Sequence, residues 1–280
     1  MTGSALRRLD RLLVERGLAS SREEAKELIA GGRVSVSGFL QAKPASMFPP
    51  DAALAVLRDE AEPRWVSRGA HKLLKGLDEW GIEVEGLRCV DVGASTGGFT
   101  QVLLSRGAAR VAAVDVGYGQ LAWQLRNDKR VQVLERTNAR HLTAEEIGWT
   151  ADLLVADASF ISLRLLLPNL QRLVTENGSI IALVKPQFEA GRARAGKGVV
   201  RDGAVHLEVL RELAAFVERE TELRLAGTTY SPIRGPEGNI EFIFYLKKGR
   251  PDPARNGAEN CAEAADPFPA IVAEAHERTR

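Results

Sequence analysis

Cysteine is nearly absent from this 280-residue chain. Only Cys89 and Cys261 occur, far apart and outside any Cys-x-x-Cys or Cys/His cluster, which argues against a disulfide framework or a zinc site. No stretch approaches the roughly 18 consecutive apolar residues that a membrane span needs. The N-terminal MTGSALRRLDRLL is basic but has neither an uninterrupted apolar core nor a small-residue cleavage site, so it does not read as a secretory leader, and a cytoplasmic protein is expected. An excess of one charge is missing too. The 38 Lys and Arg stand against 37 Asp and Glu, a formal net charge of +1, so any patch must be sought segment by segment.

What is present, 45% apolar and 27% charged residues, suits a protein of one or two domains with a sizeable core. Three regions separate by pattern, with expected bounds of 1–63, 64–248 and 249–280. In the first, Leu9, Leu12 and Leu13 share a helical face and Gly17 supplies a stop. A second helix opens at Ser21, with Glu24 three residues on as a capping box, buries Ala25, Leu28 and Ile29, and ends at Gly31-Gly32. RVSVSG then alternates like a strand entering a turn. Through Lys43, eight basic residues face five acids, which fits either a solvated surface or RNA binding. The run RLDRLLVERGLASSREEAKELIAGGRVSVSG resembles the RNA-binding domain named after ribosomal protein S-four. That resemblance implies a small α+β RNA-binding domain in which Arg7, Arg8, Arg22, Lys26 and Arg33 face structured RNA.

The joining segment EPRWVSRGAHKL contains Pro63 and Trp65, which predict an ordered hinge with a boundary near Arg64. Beyond it, apolar strands (RCVDVG, ARVAAVDVG, VQVLER, DLLVADASF, SIIALVKPQF, ELRLAGTTY, NIEFIFYL) alternate with amphipathic helices. The alternation predicts an α/β fold with a doubly wound, mostly parallel sheet and helices on both faces. Ligands are expected beyond the carboxyl ends of its strands. The last region is Pro/Ala/polar and reads as a disordered tail holding Cys261, with a short helix near Ile271 to His276.

CVDVGASTGGFT follows the first long strand and opens a helix. Its glycines, Gly93, Gly97 and Gly98, permit a tight turn and close approach of a ligand. The spacing is not G-x-G-x-x-G, and no G-K-[ST] follows, which disfavours nicotinamide cofactors and P-loop triphosphates. Asp115 ends the second strand about twenty residues on, where a carboxylate can accept from ribose hydroxyls. With Asp91, this pattern resembles the S-adenosylmethionine site of class I methyltransferases, a Rossmann-like fold. The resemblance implies a cofactor held by Asp91, Gly93, Ser95, Thr96, Gly97, Gly98, Phe99 and Asp115. Asn138, after the third strand, reads either as a turn cap or as an adenine contact.

The turn after the fourth strand reads DASF, not the N/D-P-P-Y/F of amino-group methylation. Cys89 lies inside a strand, not at the strand end that carbon methylation requires. Methylation of a ribose hydroxyl needs that weakly acidic group aligned with the methyl donor and deprotonated as the bond forms. Lys185 and Asp157 end neighbouring strands, Glu241 lies in the last strand, and Lys72 sits in SRGAHKL. Singly these are a snorkelling lysine, a cap, a strand charge and a helix residue. Together they resemble the Lys-Asp-Lys-Glu set of the FtsJ-like ribose 2′-O-methyltransferases. With VSRGAHKL, DVGASTGGFT, DVGYGQLAW, VKPQFE and SPIRGPEGNIEF, the chain is identified as resembling the TlyA family over about Leu6 to Lys248.

The resemblance implies S-adenosylmethionine-dependent methylation of cytidine 2′-hydroxyls in ribosomal RNA, with ribosomal subunits as partners and no metal demanded. Some members are labelled haemolysins, but no span and no long basic amphipathic helix supports membrane lysis. An RNA-binding assembly factor is the rival reading, which a cofactor titration separates. Lys185 orients the hydroxyl as base or as electrostatic aligner, and both stay open. EAGRARAGKGVVRDG, with Arg192, Arg194, Lys197 and Arg201, is expected to be a mobile basic flap over RNA phosphates. Nucleotide, subunit and oligomeric state are not legible.

Overall fold

The computed structural model describes residues 6–19, 21–41, 43–57, 65–196, 198–249 and 266–279, excluding the side chains at 192, 193 and 236. Two units separate, Met1–Ser67 and Arg68–Arg280. The expected boundary at Arg64 lies outside the described residues.

In the first unit the leucine spacing forms α1 (Leu9–Glu15), and Gly17, with φ +65°, turns the chain after it. Helix α2 (Arg22–Ala30) starts where the Ser21 hydroxyl accepts from the Glu24 amide at 3.2 Å. Strands β2 (Val34–Val36), β3 (Phe39–Leu40) and β5 (Leu54–Val56) form an antiparallel sheet in the order β3-β2-β5, while β1 (Arg7–Arg8) pairs with β4 (Met47–Phe48). Leu9, Leu13, Ala25, Leu28, Ile29, Val34 and Val36 close its core.

The second unit is built from α3 (Ala70–Glu79), β6 (Arg88–Val92), α4 (Gly98–Ser105), β7 (Arg110–Val114), α5 (Trp123–Arg126), β8 (Val131–Leu134), α6 (Ala144–Ile147) and β9 (Ala151–Ala156). The chain continues through α7 (Leu163–Leu170), β10 (Val174–Val184), α8 (Pro186–Glu189), α9 (Gly191–Ala195), α10 (Gly203–Glu220), β11 (Leu223–Tyr230), β12 (Phe242–Lys248) and α11 (Phe268–Arg278). The seven strands are ordered β11-β12-β10-β9-β6-β7-β8, and β12 runs antiparallel to both its neighbours. The remaining pairs are parallel, so the α/β expectation holds.

Both faces of the sheet are covered, which is why its strands read as continuous apolar runs. Along β10, Ile180, Ala182 and Val184 share a core with residues of α7, α10 and α11. Ile181 instead faces α3, where a side chain at Gly76 would begin 3.7 Å from its Cγ2. Chain order reverses between β6 and β9, and the carboxyl ends of the strands at such a switch point are where open α/β sheets take their ligands.

One correction concerns the tail. Helix α11 is longer than the short helix expected, and Phe268, Val272 and Ala275 bury one face of it against the core. Residues 266–279 therefore belong to the second unit, while the disorder expected of residues 250–265 lies outside the described residues. The apolar stripe of α11 is too short to stand out in a Pro/Ala/polar sequence, and it gains a driving force only once α10 and β11 offer a surface. Cys261 lies outside the described residues.

Candidate active site

Three of the four candidate catalytic side chains stand at strand ends around the switch point, and the fourth on the adjacent helix. Asp157 directly follows β9, and its amide still donates to the Val92 carbonyl of β6 at 2.9 Å. Lys185 directly follows β10, where Pro186 stops the strand and opens α8. Glu241 immediately precedes β12, one residue outside the strand expected to contain it. Lys72 is in the first turn of α3, beside the buried Ala70 and Leu73.

The four converge. Lys72 Nζ lies 2.7 Å from Glu241 Oε2 and 3.4 Å from Asp157 Oδ2, and Lys185 Nζ lies 2.6 Å from Asp157 Oδ1. Side-chain exposures of 8% for Lys72, 6% for Lys185 and 0% for Glu241 show a largely dehydrated cluster, in which two cations and two anions balance. Burial disfavours the charge on Lys72, but the Asp157 and Glu241 carboxylates outweigh it and hold its pKa above the ordinary value. Burial likewise opposes ionisation of Asp157, and the two lysines outweigh that, holding it below the carboxylate range. Lys72 is thus a fixed charge between two acids.

Lys185 has a different surrounding. Besides its ion pair with Asp157 Oδ1, it donates to Ser159 Oγ at 2.9 Å and, at the limit of hydrogen bonding, to the Asp157 carbonyl at 3.5 Å. The third contact is weak enough for a ligand hydroxyl to replace.

The glycine turn lies at the end of β6. Gly93, with φ +81°, has the Asp157 carbonyl oxygen 2.8 Å from where a Cβ would be, so this glycine lets the β6 and β9 ends touch. Gly97, with φ +99°, precedes α4, and a side chain there would strike Leu121 and Leu125. Both glycines first admit neighbouring protein. Ser95 and Thr96 are exposed, whereas Gly98 and Phe99 are buried. Asp91 is wholly buried and accepts from Thr100 Oγ1 at 2.7 Å, while its Oδ1 meets no well-formed hydrogen bond among the described residues. Burial, opposed by the Thr100 hydrogen bonds and reinforced by Asp157 and Asp115, raises its pKa to about 7.

Asp115 accepts from the amides of Ser95 at 2.8 Å and Gly117 at 2.7 Å. These bonds orient its carboxylate and leave each oxygen a second acceptor site. Asn138 is exposed and accepts from the Arg140 amide at 3.0 Å, the turn-cap role. Cys89 is buried within β6, and burial pushes its thiol up to about 12, as an inert core residue.

Sequence reasoning missed three residues next to Lys185. Ser159 is one. Phe160 is 90% exposed at φ +64°, its ring tilted by 45° to that of Phe188 with centroids 5.3 Å apart. Glu189, buried, accepts from Ser162 Oγ at 2.6 Å and the Leu163 amide at 2.7 Å, tying α8 to the start of α7. The string DASF contains two of them, but no spacing rule marks an exposed phenylalanine in a left-handed backbone.

The flap expectation needs correction at Arg194. Residues 191–195 form α9, and the Arg194 guanidinium is pinned by Glu208 at 3.0 Å, by Glu212 at 2.9 and 3.1 Å, and by the Ala190 carbonyl at 2.9 Å. It latches α9 to α10, a partnership across the fold that the local GRARAGKG composition could not reveal. Lys197 lies outside the described residues.

Within the first unit, Arg8 grips the buried Asp10 with two bonds of 3.0 Å, and Arg22 reaches the same carboxylate at 2.9 Å. The two guanidiniums hold Asp10 at about 2 against the opposing effect of its burial. Arg7 pairs with Glu15 at 2.6 Å and Lys26 with Glu23 at 3.9 Å, while Arg33 is exposed. No helix among the described residues is long and apolar enough to cross a membrane.

Comparison with known proteins places these features. The FtsJ-like methyltransferase family matches residues 65–248, and the S4 domain matches residues 7–39. The chain is 52% identical over 244 residues to a Mycobacterium tuberculosis protein named 16S/23S rRNA (cytidine-2′-O)-methyltransferase TlyA, covering 86% of this chain and 89% of that one. It is 36% identical to Hemolysin A of Brachyspira hyodysenteriae, covering 85% and 99% of the two chains. A solved haemolysin-named structure from Streptococcus thermophilus superposes with a TM-score of 0.74 at 37% identity, covering 99% and 98%. The chain belongs to the FtsJ-like methyltransferases and, among them, to the TlyA family.

Proposed function

We propose that this chain transfers a methyl group from S-adenosylmethionine to cytidine 2′-hydroxyls of ribosomal RNA, acting on ribosomal subunits in the cytoplasm. The observation that carries this reading is the convergence of Lys72 of α3 with Asp157, Lys185 and Glu241 at the strand ends. The buried, incompletely bonded Asp91 Oδ1 and the oriented Asp115 carboxylate suit a cationic ligand that carries ribose hydroxyls. Asp91, Ser95, Thr96 and Asp115 would hold it, beside the turn of Gly93, Gly97 and Gly98, with Phe99 packed beneath and Asn138 at the rim. When bound, the sulfonium supplies an activated methyl group.

Lys185 then meets the acceptor hydroxyl by giving up its longest contact, while Asp157 and Ser159 keep its Nζ in place. Lys72 holds Asp157 and Glu241 and so fixes the orientation of the acid that holds Lys185. Phe160 offers an exposed ring on which a splayed-out base can stack. The S4-type unit, through Arg7, Arg8, Arg22, Lys26 and Arg33, supplies backbone contacts to RNA, with the segment containing Arg192 and Lys197 as a further basic strip.

The test uses labelled S-adenosylmethionine and unmodified ribosomal subunits, followed by mapping of the modified ribose. Lys185→Ala should lower methyl transfer by at least about 10²-fold while cofactor affinity stays within about threefold, because Lys185 bonds to Asp157 and Ser159 rather than to the residues assigned to the cofactor. Normal turnover in that variant refutes the assignment. The pH–rate profile of the parent separates two roles for Lys185. A general base gives a single-turnover rate that rises with pH, and an aligner gives a flat one.

A further inference from the structure

Helix α11 lies beyond residue 248, where the FtsJ-like match ends, yet it is anchored along its length. Phe268 stacks on Phe244 with centroids 6.3 Å apart, Asp266 pairs with Arg211 at 2.6 Å, and Tyr230 Oη donates to Glu274 at 3.2 Å. His206 Nδ1 lies 3.0 Å from His276 Nε2. At the far end Thr279 is buried, and its carbonyl accepts two bonds from Arg234, from Nε at 2.9 Å and Nη2 at 2.6 Å. The remaining nitrogen, Nη1, donates to the Gly238 carbonyl at 3.0 Å.

Arg234 belongs to the loop 231–241 that ends at Glu241. The loop is closed at its base by the Ser231 amide on the Glu241 carbonyl at 2.8 Å, and across its tip by the Gly235 amide on the Asn239 carbonyl at 2.9 Å. Buried Asn239 ties it to the segment before α10, accepting from the Val200 amide at 3.1 Å and donating to the Gly198 carbonyl at 3.0 Å. Gly235 lies on the Glu241 carboxylate, for a Cβ there would sit 2.1 Å from Oε1. Whatever fixes residues 234 and 235 therefore fixes the roof over Glu241, and through Lys72 the orientation of Asp157.

We propose that α11 is part of the catalytic apparatus and that Arg234 is a positioning residue: by binding the Thr279 carbonyl it holds Gly235 and Glu241 where they set Lys72 against Asp157. This rests on the reading of the four-residue cluster as the methyl-transfer site. Displacing a catalytic group by an ångström without unfolding the protein slows the chemical step and leaves ligand binding intact.

The experiment measures single-turnover methyl transfer to unmodified ribosomal subunits, together with S-adenosylmethionine stoichiometry and affinity. The proteins are the parent, Arg234→Gln, Arg234→Lys, a chain ending at His276, the combination of Arg234→Gln with that shortening, and Lys185→Ala. Expected is a fall of about tenfold or more in the transfer rate per bound cofactor for Arg234→Gln and for the shortened chain, with cofactor affinity unchanged. Arg234→Lys, which can still donate to the carbonyl, should recover part of the rate. The combined variant should be no slower than Arg234→Gln alone, because that change already gives up the Thr279 carbonyl together with the Gly238 bond, and the shortening then has no clamp left to remove.

A parental rate in Arg234→Gln beside an inactive Lys185→Ala overturns the clamp alone. Additive losses in the combined variant do the same, as does a loss of activity matched by loss of cofactor-binding sites, which would mark a folding role. An active Lys185→Ala overturns the site reading and the clamp with it.

Discussion

Lys185 shows how much chemistry one residue can announce. An ammonium at the end of an apolar run is costly to bury unless partners await it, and Asp157 and Ser159 are those partners. Asp91 poses the opposite case, a carboxyl buried without enough partners. Because its pKa of about 7 lies above the ordinary 3.8, the unfolded chain releases this proton first. The ligand-free fold therefore loses stability as pH rises from about 4 to 7 and carries the full penalty above that, of order 4 kcal/mol. Asp91→Asn is expected to melt higher than the parent at pH 8, with the gap closing towards pH 4, and to bind S-adenosylmethionine more weakly. Melting curves across that range and a cofactor titration check it, and equal melting at pH 8 contradicts it. That Asp91 matters was legible from its place before a glycine turn, but its partial bonding was not, since Thr100 reaches it only after α4 has folded.

At the level of elements, period and length were informative wherever a strand is buried on both faces. β6, β7 and β9 read directly from their apolar runs, and so does the second half of β10, whose polar first half from Val174 reads instead as part of the preceding helix and turn. The glycine turn was legible as a turn, but its occupant was not. Gly93 faces the Asp157 carbonyl, a residue 64 positions away. Gly93→Ala is expected to force the β6 and β9 ends apart, through both the 2.8 Å overlap and the left-handed φ of +81°. A cost of roughly 2 kcal/mol in denaturant melts should accompany a loss of methyl transfer at temperatures where the protein is still folded, because Asp157 moves. Unchanged turnover would show that the two strand ends tolerate separation. Helix α11 and the latch of Arg194 on Glu208 and Glu212 were misread for one reason. Short polar segments take their structure from partners distant in sequence.

For the whole molecule, charge has to be divided between holding and binding. Arg8 and Arg22 both serve the buried Asp10, so replacing either leaves a carboxylate underpaired and destabilises the first unit. Lys26 and Arg33 carry less of that structural duty. Neutralising Lys26 and Arg33 is therefore expected to weaken binding to ribosomal RNA and to lower the slope of log affinity against log salt by about 0.7 to 0.9 for each phosphate no longer neutralised by the protein. Filter binding over a salt series measures this, with melting temperature as the control. An unchanged slope would remove these two residues from the RNA-binding surface.

The sequence by itself determined the alternation of strands and helices and the two-part organisation, and it marked Lys185 as a charge out of keeping with its apolar run. Those follow from local periodicity, turn chemistry and residue type, whereas Lys72, Asp157 and Glu241 were singled out by their resemblance to the FtsJ-like set. Only the tertiary structure decided which charges are spent on holding the fold, which oxygen of Asp91 is left short of partners, and that the last helix reaches back to the loop before Glu241. Those outcomes depend on distances between groups far apart along the chain. Such distances are set when the sheet and its covering helices exclude water together, and no local pattern of residues encodes them.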